Sequence, residues 1–348
     1  MTTQTNMAFC GWDIGGAHLK VAYADATGNL LHVFQLPCAL WKGIDALNES
    51  IRSALALLPK ATAGHYITMT GELVDAFPDR QEGVKAIVET IDAHLNNSDV
   101  RFFAGQATWL TKNQAIEQWQ NIASMNWQAS ALLAAQHIEQ GLFIDIGSTT
   151  CDIIGIDRHQ VSATATTDYG RQCSGELVYT GAIRTPLIAI SDAAPLHGNR
   201  VSLAAEWFAS SADIWLILNQ LNESDIQDSS TDGQPWTQTH SQQRLARMLG
   251  SDARDATDAQ WQNVAAYFAE KQMQQILNGC YQVLSQFPDW QPSSPIIGAG
   301  IGQFIVEKCA SRLNRPYVDY AAFCQHHPDA ASYAPATALA LLAAQQLS

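Results

Sequence analysis

Two aspartates close two similar apolar runs: Asp13 in FCGWDIGGAHLKV (residues 9–21) and Asp145 in GLFIDIGSTTCDIIGI (residues 141–156). Each is followed by Ile-Gly and then by small or hydroxyl residues, and 132 positions separate the two. That spacing is too long for a solenoid repeat and suits two related domains. A strand–turn–strand unit built from Gly, Ser and Thr exposes several backbone N–H groups, which accept phosphate oxygens without a cationic side chain. Gly15, Gly16 and Gly147 permit close approach because they lack Cβ, and Ser148, Thr149 and Thr150 add hydroxyl donors. Neither aspartate suits direct contact with phosphate, since both are anions. Its chemical use would be to hold Mg²⁺, directly or through water, so that the ion bridges phosphate oxygens. Lys20 would add a direct positive charge. One such turn alone reads as an ordinary hairpin; two in matching contexts point to a phosphate-gripping cleft between similar halves.

Other stretches offer candidate contacts. Thr70-Gly71-Glu72 closes the apolar run HYITM, where a polar cluster either points into a crevice or opens a helix favoured by the dipole. Residues 166–186 gather Asp168, Arg171, Glu176, Arg184 and Thr185 around glycines. The arginines suit bidentate phosphate or carboxylate contacts, with surface ion pairs as the ordinary alternative. SSPIIGAGIG reads as a strand entering a Gly-rich turn, with Gly298 and Gly300 near whatever the phosphate chain carries. It is not a dinucleotide fingerprint: Gln303 breaks the glycine spacing, and too little chain follows Asp319 for a Rossmann half. Arg244 and Arg247 share one helical face, read here as solvated. No HExxH or GxSxG motif is present.

These residues need a scaffold, and 348 residues suffice for two domains. A hydrophobic fraction of 47% supports a substantial core, and a net charge of −14 argues against nucleic-acid or anionic-membrane partners. It does not forbid a small anion, because charges are screened over roughly 8 Å at physiological salt. The seven cysteines are scattered, without a CxxC pair, as expected of reduced thiols in the cytoplasm. The opening MTTQTNMAF lacks the charge and apolar run of a leader, and no run approaches the ~18 apolar residues of a membrane span. A soluble cytoplasmic protein is expected.

Periodicity supplies the elements. Three strands are predicted from residue 8 to about 37, with a hairpin turn at Thr27-Gly28-Asn29. A helix over 44–58 ends at Pro59, a strand runs into Gly71, a helix covers EGVKAIVETIDAHL, and VRFFAG reads as a strand. One or two helices fit 113–138. The second half restarts with GLFIDIG, CDIIGID and VSATATT as three strands, followed by helices at 202–221, 240–249 and 258–286. ATALALLAAQQL reads as an amphipathic closing helix, and 222–242 as an exposed or mobile loop. Strands alternating with helices and restarting midway give an α/β protein with two similar sheets.

The paired turns and the late IIGAGIG turn resemble the superfamily of sugar kinases, heat-shock ATPases and actin. More narrowly, DIGGAHLK, MTGELVDAFPDRQEGV, NWQASA, DIGSTTCDII, YGRQCSGELVYTGAIRTP, SADIWLIL and RLARMLGSDARD resemble a hydantoinase/oxoprolinase-related group found beside tetrahydromethanopterin-linked one-carbon genes. The resemblance implies a duplicated actin-like (ribonuclease H-like) α/β fold with a central cleft. Its domains would be 1–138 and 139–335, with 336–348 packing back on the first. Characterised archaeal members act in methanofuran biosynthesis, joining a furanmethyl diphosphate to a phenol oxygen. The resemblance therefore implies a Mg²⁺-dependent transferase acting on small-molecule diphosphate and phenolic substrates, with a homodimer left open. The catalytic set would be Asp13, Asp145, Glu72 and Lys20, with Glu72 or Asp145 as base and Asp13 and Asp145 on the metal. Thr70, Gly71, Arg171, Glu176, Arg184, Gly298 and Gly300 would face substrate. Competing expectations are an ATP-dependent kinase or oxoprolinase-like hydrolase, and a non-catalytic ATP-binding scaffold.

Overall fold

A computed structural model describes residues 8–59 and 61–346; the leader question falls on residues 1–7, outside the described residues. The first sheet contains β1 (Ala8–Ile14), β2 (His18–Ala24), β3 (Leu30–Pro37), β4 (Thr62–Met69), β5 (Val100–Phe103) and β6 (Trp109–Leu110), in the order β3-β2-β1-β4-β5-β6. β1, β2 and β3 form antiparallel pairs, whereas β4 runs parallel to β1 and β5 parallel to β4. All seven residues of β1 are buried, which is why its sequence is an unbroken apolar run up to Asp13 rather than an alternation. The β2–β3 turn is set by Asp25, whose carboxylate accepts from the Thr27 and Asn29 N–H groups at 2.9 Å each, with Gly28 at φ 80°.

The second sheet uses β7 (Gln140–Ile146), β8 (Cys151–Asp157), β9 (Gln160–Ser162), β10 (Leu177–Val178), β13 (Ile296–Ala299) and β14 (Tyr317–Asp319), in the order β10-β8-β7-β13-β14. A separate hairpin pairs β11 (Ala193–Leu196) with β12 (Asn199–Ser202). The core order of the first sheet thus recurs, β8, β7, β13 and β14 standing where β2, β1, β4 and β5 stand. The protein has the duplicated actin-like, ribonuclease H-like fold. One difference from the strand pattern of VSATATT is that the third-strand position is split: β9 pairs one end of β8 and β10 the other.

The helices are α1 (Ile44–Leu57), α2 (Arg80–Leu95), α3 (Lys112–Glu117), α4 (Asn126–His137), α5 (Asp168–Ser174), α6 (Leu187–Ile190), α7 (Ser211–Ile217), α8 (Gln238–Met248), α9 (Asp258–Leu284), α10 (Gln303–Arg312) and α11 (Ala334–Gln346). The helix expected over 202–221 shrinks to α7. A capping box stops it from extending upstream: the Ser210 N–H donates to Asp213 Oδ2 at 2.9 Å, which fixes Ser210 as the N-cap. The solvated face expected for Arg244 is also corrected. Its guanidinium is fully buried, donating to Asp213 Oδ1 at 2.8 Å and Asp232 Oδ1 at 3.0 Å, and lies over the Trp236 ring at 4.8 Å. Those contacts tether the 222–242 stretch to α8.

The chain divides into two compact units. One comprises the described residues up to Phe143, Ile154–Asp168 and those from Val318 onward; the other comprises Ile144–Ile153 and Tyr169–Tyr317. In the first unit α11 packs on β1, β2 and α4. It is not amphipathic, since every residue from Ala334 to Ala344 is buried. Alanines and a glycine make this possible: a Cβ on Gly11 would collide with the Ala336 carbonyl oxygen and lie 2.6 Å from the Ala340 nitrogen. No helix among the described residues is long and apolar enough to cross a membrane.

Candidate functional site

In the first unit, β1 and β4 run side by side and end together. The Gly15 N–H donates to the His18 carbonyl at 2.9 Å, closing the turn, and the Thr70 N–H donates to the Ile14 carbonyl at 2.9 Å. Asp13, Gly15, Gly16, Lys20, Thr70, Gly71 and Glu72 therefore gather at one edge of one sheet, at the carboxyl ends of its parallel strands, where open α/β sheets bind ligands. Asp13 and Lys20 are cross-strand partners, and the Lys20 Nζ lies 3.6 Å from Asp13 Oδ2. The aspartate is buried while the lysine side chain keeps 27% of its surface, so the charge that reaches solvent at this turn is positive. At Gly16 a Cβ would sit 2.7 Å from Val74 Cγ1, so this glycine serves packing.

Glu72 follows on a short 3₁₀ turn, Gly71–Leu73, and is 1% exposed. Its Oε1 accepts from Ser124 Oγ at 2.8 Å, while Oε2 has no hydrogen-bond partner among the described residues. Ser124 Oγ is also 3.4 Å from Asp168 Oδ2, which accepts from Arg80 Nη2 at 2.8 Å. Burial pushes the Glu72 carboxyl up to about 7; the Ser124 hydrogen bond pulls it down, Asp168 pushes it up and Arg80 lowers it. A carboxyl titrating there suits proton transfer at neutral pH. The sequence marked Glu72 and Asp168, but Ser124 and Arg80 were missed.

In the second unit, the turn after β7 closes in the same way, the Gly147 N–H donating to the Thr150 carbonyl at 2.9 Å. Its outer side is bound by residues 182–184: Ala182 N–H donates to Gly147 O at 2.9 Å, and Ile183 and Arg184 N–H groups donate to Ser148 O at 3.1 and 2.8 Å. Contact is so close that a Cβ on Gly181 would lie 2.5 Å from Ser148 carbonyl atoms and the Thr149 nitrogen. Gln272, buried in α9, holds this segment by donating to Thr180 Oγ1 at 2.9 Å and Gly181 O at 2.7 Å, while Trp215 Nε1 donates to Gln272 Oε1 at 2.9 Å. Gln272 was also missed. Its signal was a polar residue on the buried stripe Val264-Ala265-Phe268-Ala269-Met273-Ile276 of the helix.

Gly300, at φ 81°, approaches the end of β7 so closely that a Cβ would collide with Ile146 O and Asp145 Oδ1, and the Gly302 N–H donates to Ile146 O at 2.8 Å. Asp145 is 8% exposed. Gly298 instead faces a protein ring, its absent Cβ filled by Tyr317 with Cε2 at 2.5 Å. Arg171 is 1% exposed, with Nη2 donating to Asp152 Oδ1 at 2.6 Å and to Glu176 O at 3.1 Å. Glu176 is buried and its carbonyl also accepts from the Ile153 N–H at 2.8 Å, so this pair braces β8. Arg184 is half-buried.

Chemically, each unit presents one closed Gly turn with one carboxylate at its base. No cluster of three or more His, Cys, Asp or Glu among the described residues could hold a metal ion. A closed protein cage is thus not built. In each unit a single carboxylate, Asp13 or Asp145, is what could hold Mg²⁺.

Residues 64–346 match the family described as Hydantoinase/oxoprolinase. Among curated relatives, the (4-{4-[2-(gamma-L-glutamylamino)ethyl]phenoxymethyl}furan-2-yl)methanamine synthase of Methanocaldococcus jannaschii is 28% identical over 305 residues, covering 87% of this chain and 89% of that protein. A protein of the same name from Methanococcus vannielii is 28% identical over 186 residues, covering 53% of this chain and 82% of its own length. Among solved structures, nucleotide-free acetone carboxylase, described in connection with ATP-dependent acetone carboxylation, is 10% identical with a TM-score of 0.58, covering 95% of this chain and 69% of that one. The last likeness concerns the fold alone. With most of its length matched by the family, the chain belongs to the hydantoinase/oxoprolinase family.

Proposed function

We propose that this protein is a biosynthetic transferase that forms the aryl ether of a methanofuran-like one-carbon carrier. It joins a furanmethyl diphosphate to the phenol oxygen of a glutamylated tyramine or tyrosine and releases diphosphate. The observation that carries this reading is the match to the Methanocaldococcus jannaschii synthase, which runs through 89% of that protein's length.

In the reaction, the phenol oxygen forms a bond to the furan methylene, the methylene–oxygen bond to diphosphate breaks, and the phenol proton passes to a base. The furan oxygen stabilises positive charge on the departing methylene. Within its own unit, each Gly turn, the first with Lys20, would neutralise charge developing on a diphosphate. Asp13 and Asp145 would each take up Mg²⁺ through one carboxylate, and the metal would supply electrostatic stabilisation of such charge. Glu72 takes the phenol proton: an unperturbed phenol titrates near 10, and burial has moved this carboxyl up to about 7, towards it.

A second reading, an ATP-dependent kinase or oxoprolinase-like amide hydrolase, draws support from the family description. Calorimetry in Mg²⁺ buffer separates the two, titrating ATP, diphosphate and an aminomethyl-furanmethyl diphosphate in turn. Tight binding of the furan diphosphate without ATP binding, followed by ether formation on a glutamyl-tyramine, is the expected result. Strong ATP binding with indifference to the furan compound would overturn the transferase reading.

A further inference from the structure

Glu72 does not stand alone in the first unit. Ser124, Asp168 and Arg80 come from three separate parts of the chain: the segment before α4, the first position of α5 and the first position of α2. Ser124 and Asp168 are buried, while the Arg80 side chain keeps 34% of its surface. The series therefore leads from a buried carboxyl to a partly exposed cation.

The distances within it are unequal in an informative way. Ser124 Oγ has two acceptors, Glu72 Oε1 at 2.8 Å and Asp168 Oδ2 at 3.4 Å, but a hydroxyl carries a single hydrogen. The two bonds are alternatives. With Glu72 ionised, Ser124 donates to Glu72; with Glu72 protonated, the Glu72 O–H donates to Ser124 Oγ, whose own hydrogen turns to Asp168. Ser124 sits at φ 54°, a left-handed backbone that a serine adopts at a cost of about 1 kcal/mol.

We propose that Ser124, Asp168 and Arg80 are positioning residues that form the proton exit of Glu72. This rests on the reading of Glu72 as the base. The proton that Glu72 receives passes to Ser124 Oγ as the serine hydrogen moves to Asp168. Asp168, whose side chain keeps 8% of its surface beside Arg80, hands the proton on to water. No heavy-atom bond is made or broken, and the carboxylate is restored for the next turnover. The charged groups that bear on Glu72 are Asp168 from α5 and Arg80 from α2, of opposite sign.

The experiment measures kcat/KM against pH with the furan diphosphate and glutamyl-tyramine for wild type, Glu72→Gln, Ser124→Ala, Ser124→Gly and Asp168→Asn. It is paired with infrared titration of the Glu72 carboxyl, taken as the wild type minus Glu72→Gln difference in the ligand-free protein. Loss of the serine hydroxyl removes a donor to the carboxylate, so the acid limb and the infrared midpoint move up by about one pH unit. Loss of the Asp168 charge moves both down. Ser124→Gly relieves the left-handed backbone, so it keeps the test usable if Ser124→Ala folds poorly. Opposite shifts in the serine and aspartate variants support the exit. Unshifted limbs and midpoints in the presence of an inactive Glu72→Gln overturn it. An active Glu72→Gln overturns instead the assignment of Glu72 as base, and the infrared midpoints then still decide whether the three groups are coupled.

Discussion

Gly83, on α2, lies against Glu72 so closely that a Cβ there would sit 2.6 Å from the Glu72 carbonyl oxygen and 2.9 Å from its Cα and Cβ. Helix interiors ordinarily disfavour glycine by about 1 kcal/mol relative to alanine. Here the helix gives up that preference so that the turn bearing the buried carboxyl can press into it.

Gly83→Ala therefore should not bring the usual gain of an alanine in a helix. Overpacking against backbone costs about 1–3 kcal/mol, and the displaced turn carries Glu72 away from Ser124. The denaturation midpoint is expected to fall and kcat/KM to fall with it. A variant more stable than wild type and fully active would show that the turn yields freely and that the contact positions nothing.

Gly300→Ala combines two penalties. The residue sits at φ 81°, and its Cβ would strike Ile146 O and Asp145 Oδ1. A loss of about 1–2 kcal/mol in stability is expected from the backbone alone. Because the collision is with the Asp145 carboxylate, Mg²⁺-dependent diphosphate binding should weaken more than global stability predicts. Calorimetric affinity measured beside the thermal midpoint checks this, and unchanged affinity in a destabilised protein would sever Gly300 from the ligand site.

Much of this was legible in advance, and for local reasons. The two turns are read from strand–turn–strand patterns a dozen residues long, and both close with the same hydrogen bond, Gly15 to His18 and Gly147 to Thr150. Glu72 was visible because a polar cluster ended an apolar strand. What the chain could not display is partnership over distance. Ser124 reaches Glu72 across 52 positions and Asp168 across 44, and its left-handed backbone has no sequence mark. Gln272 was legible as a polar residue on a buried helical stripe, but its partners were not, and the burial of Arg244 against Asp213 and Asp232 ran against the solvated face its helix suggested. The shortened α7 and the divided third strand of the second sheet reflect capping and pairing choices that hydrophobic periodicity does not encode.

Asp13→Asn and Asp145→Asn test the paired turns directly. Each removes a carboxylate from the base of a turn while preserving its shape, so both proteins should fold. If the turns act on the leaving group, kcat/KM falls by about 10²-fold or more, and the Mg²⁺ concentration for half-maximal rate rises. Asp13→Asn also releases Lys20 from its 3.6 Å pairing, so Lys20→Met provides the comparison that separates loss of the cation from loss of its partner. Full activity with unaltered Mg²⁺ dependence in both aspartate variants would remove the phosphate-grip model.

Glu72→Gln should be more stable than wild type, but in a pH-dependent way whose sign follows from burial. The carboxyl is raised from 4.5 to about 7 in the folded protein, so between those values the native state holds a proton that the unfolded chain has released. Wild-type stability therefore falls as pH rises through that window, by on the order of 3 kcal/mol if the whole shift is realised. Glutamine is neutral throughout and still accepts from Ser124. At pH 5 the two proteins should have similar thermal midpoints, and by pH 8 the variant should be clearly the more stable, at the expense of activity. Parallel stability curves from pH 5 to 8 would mean that Glu72 is ionised in the native state throughout. A carboxylate already ionised at pH 5 would have too little proton affinity for the role of base, and catalysis would then have to draw on another group.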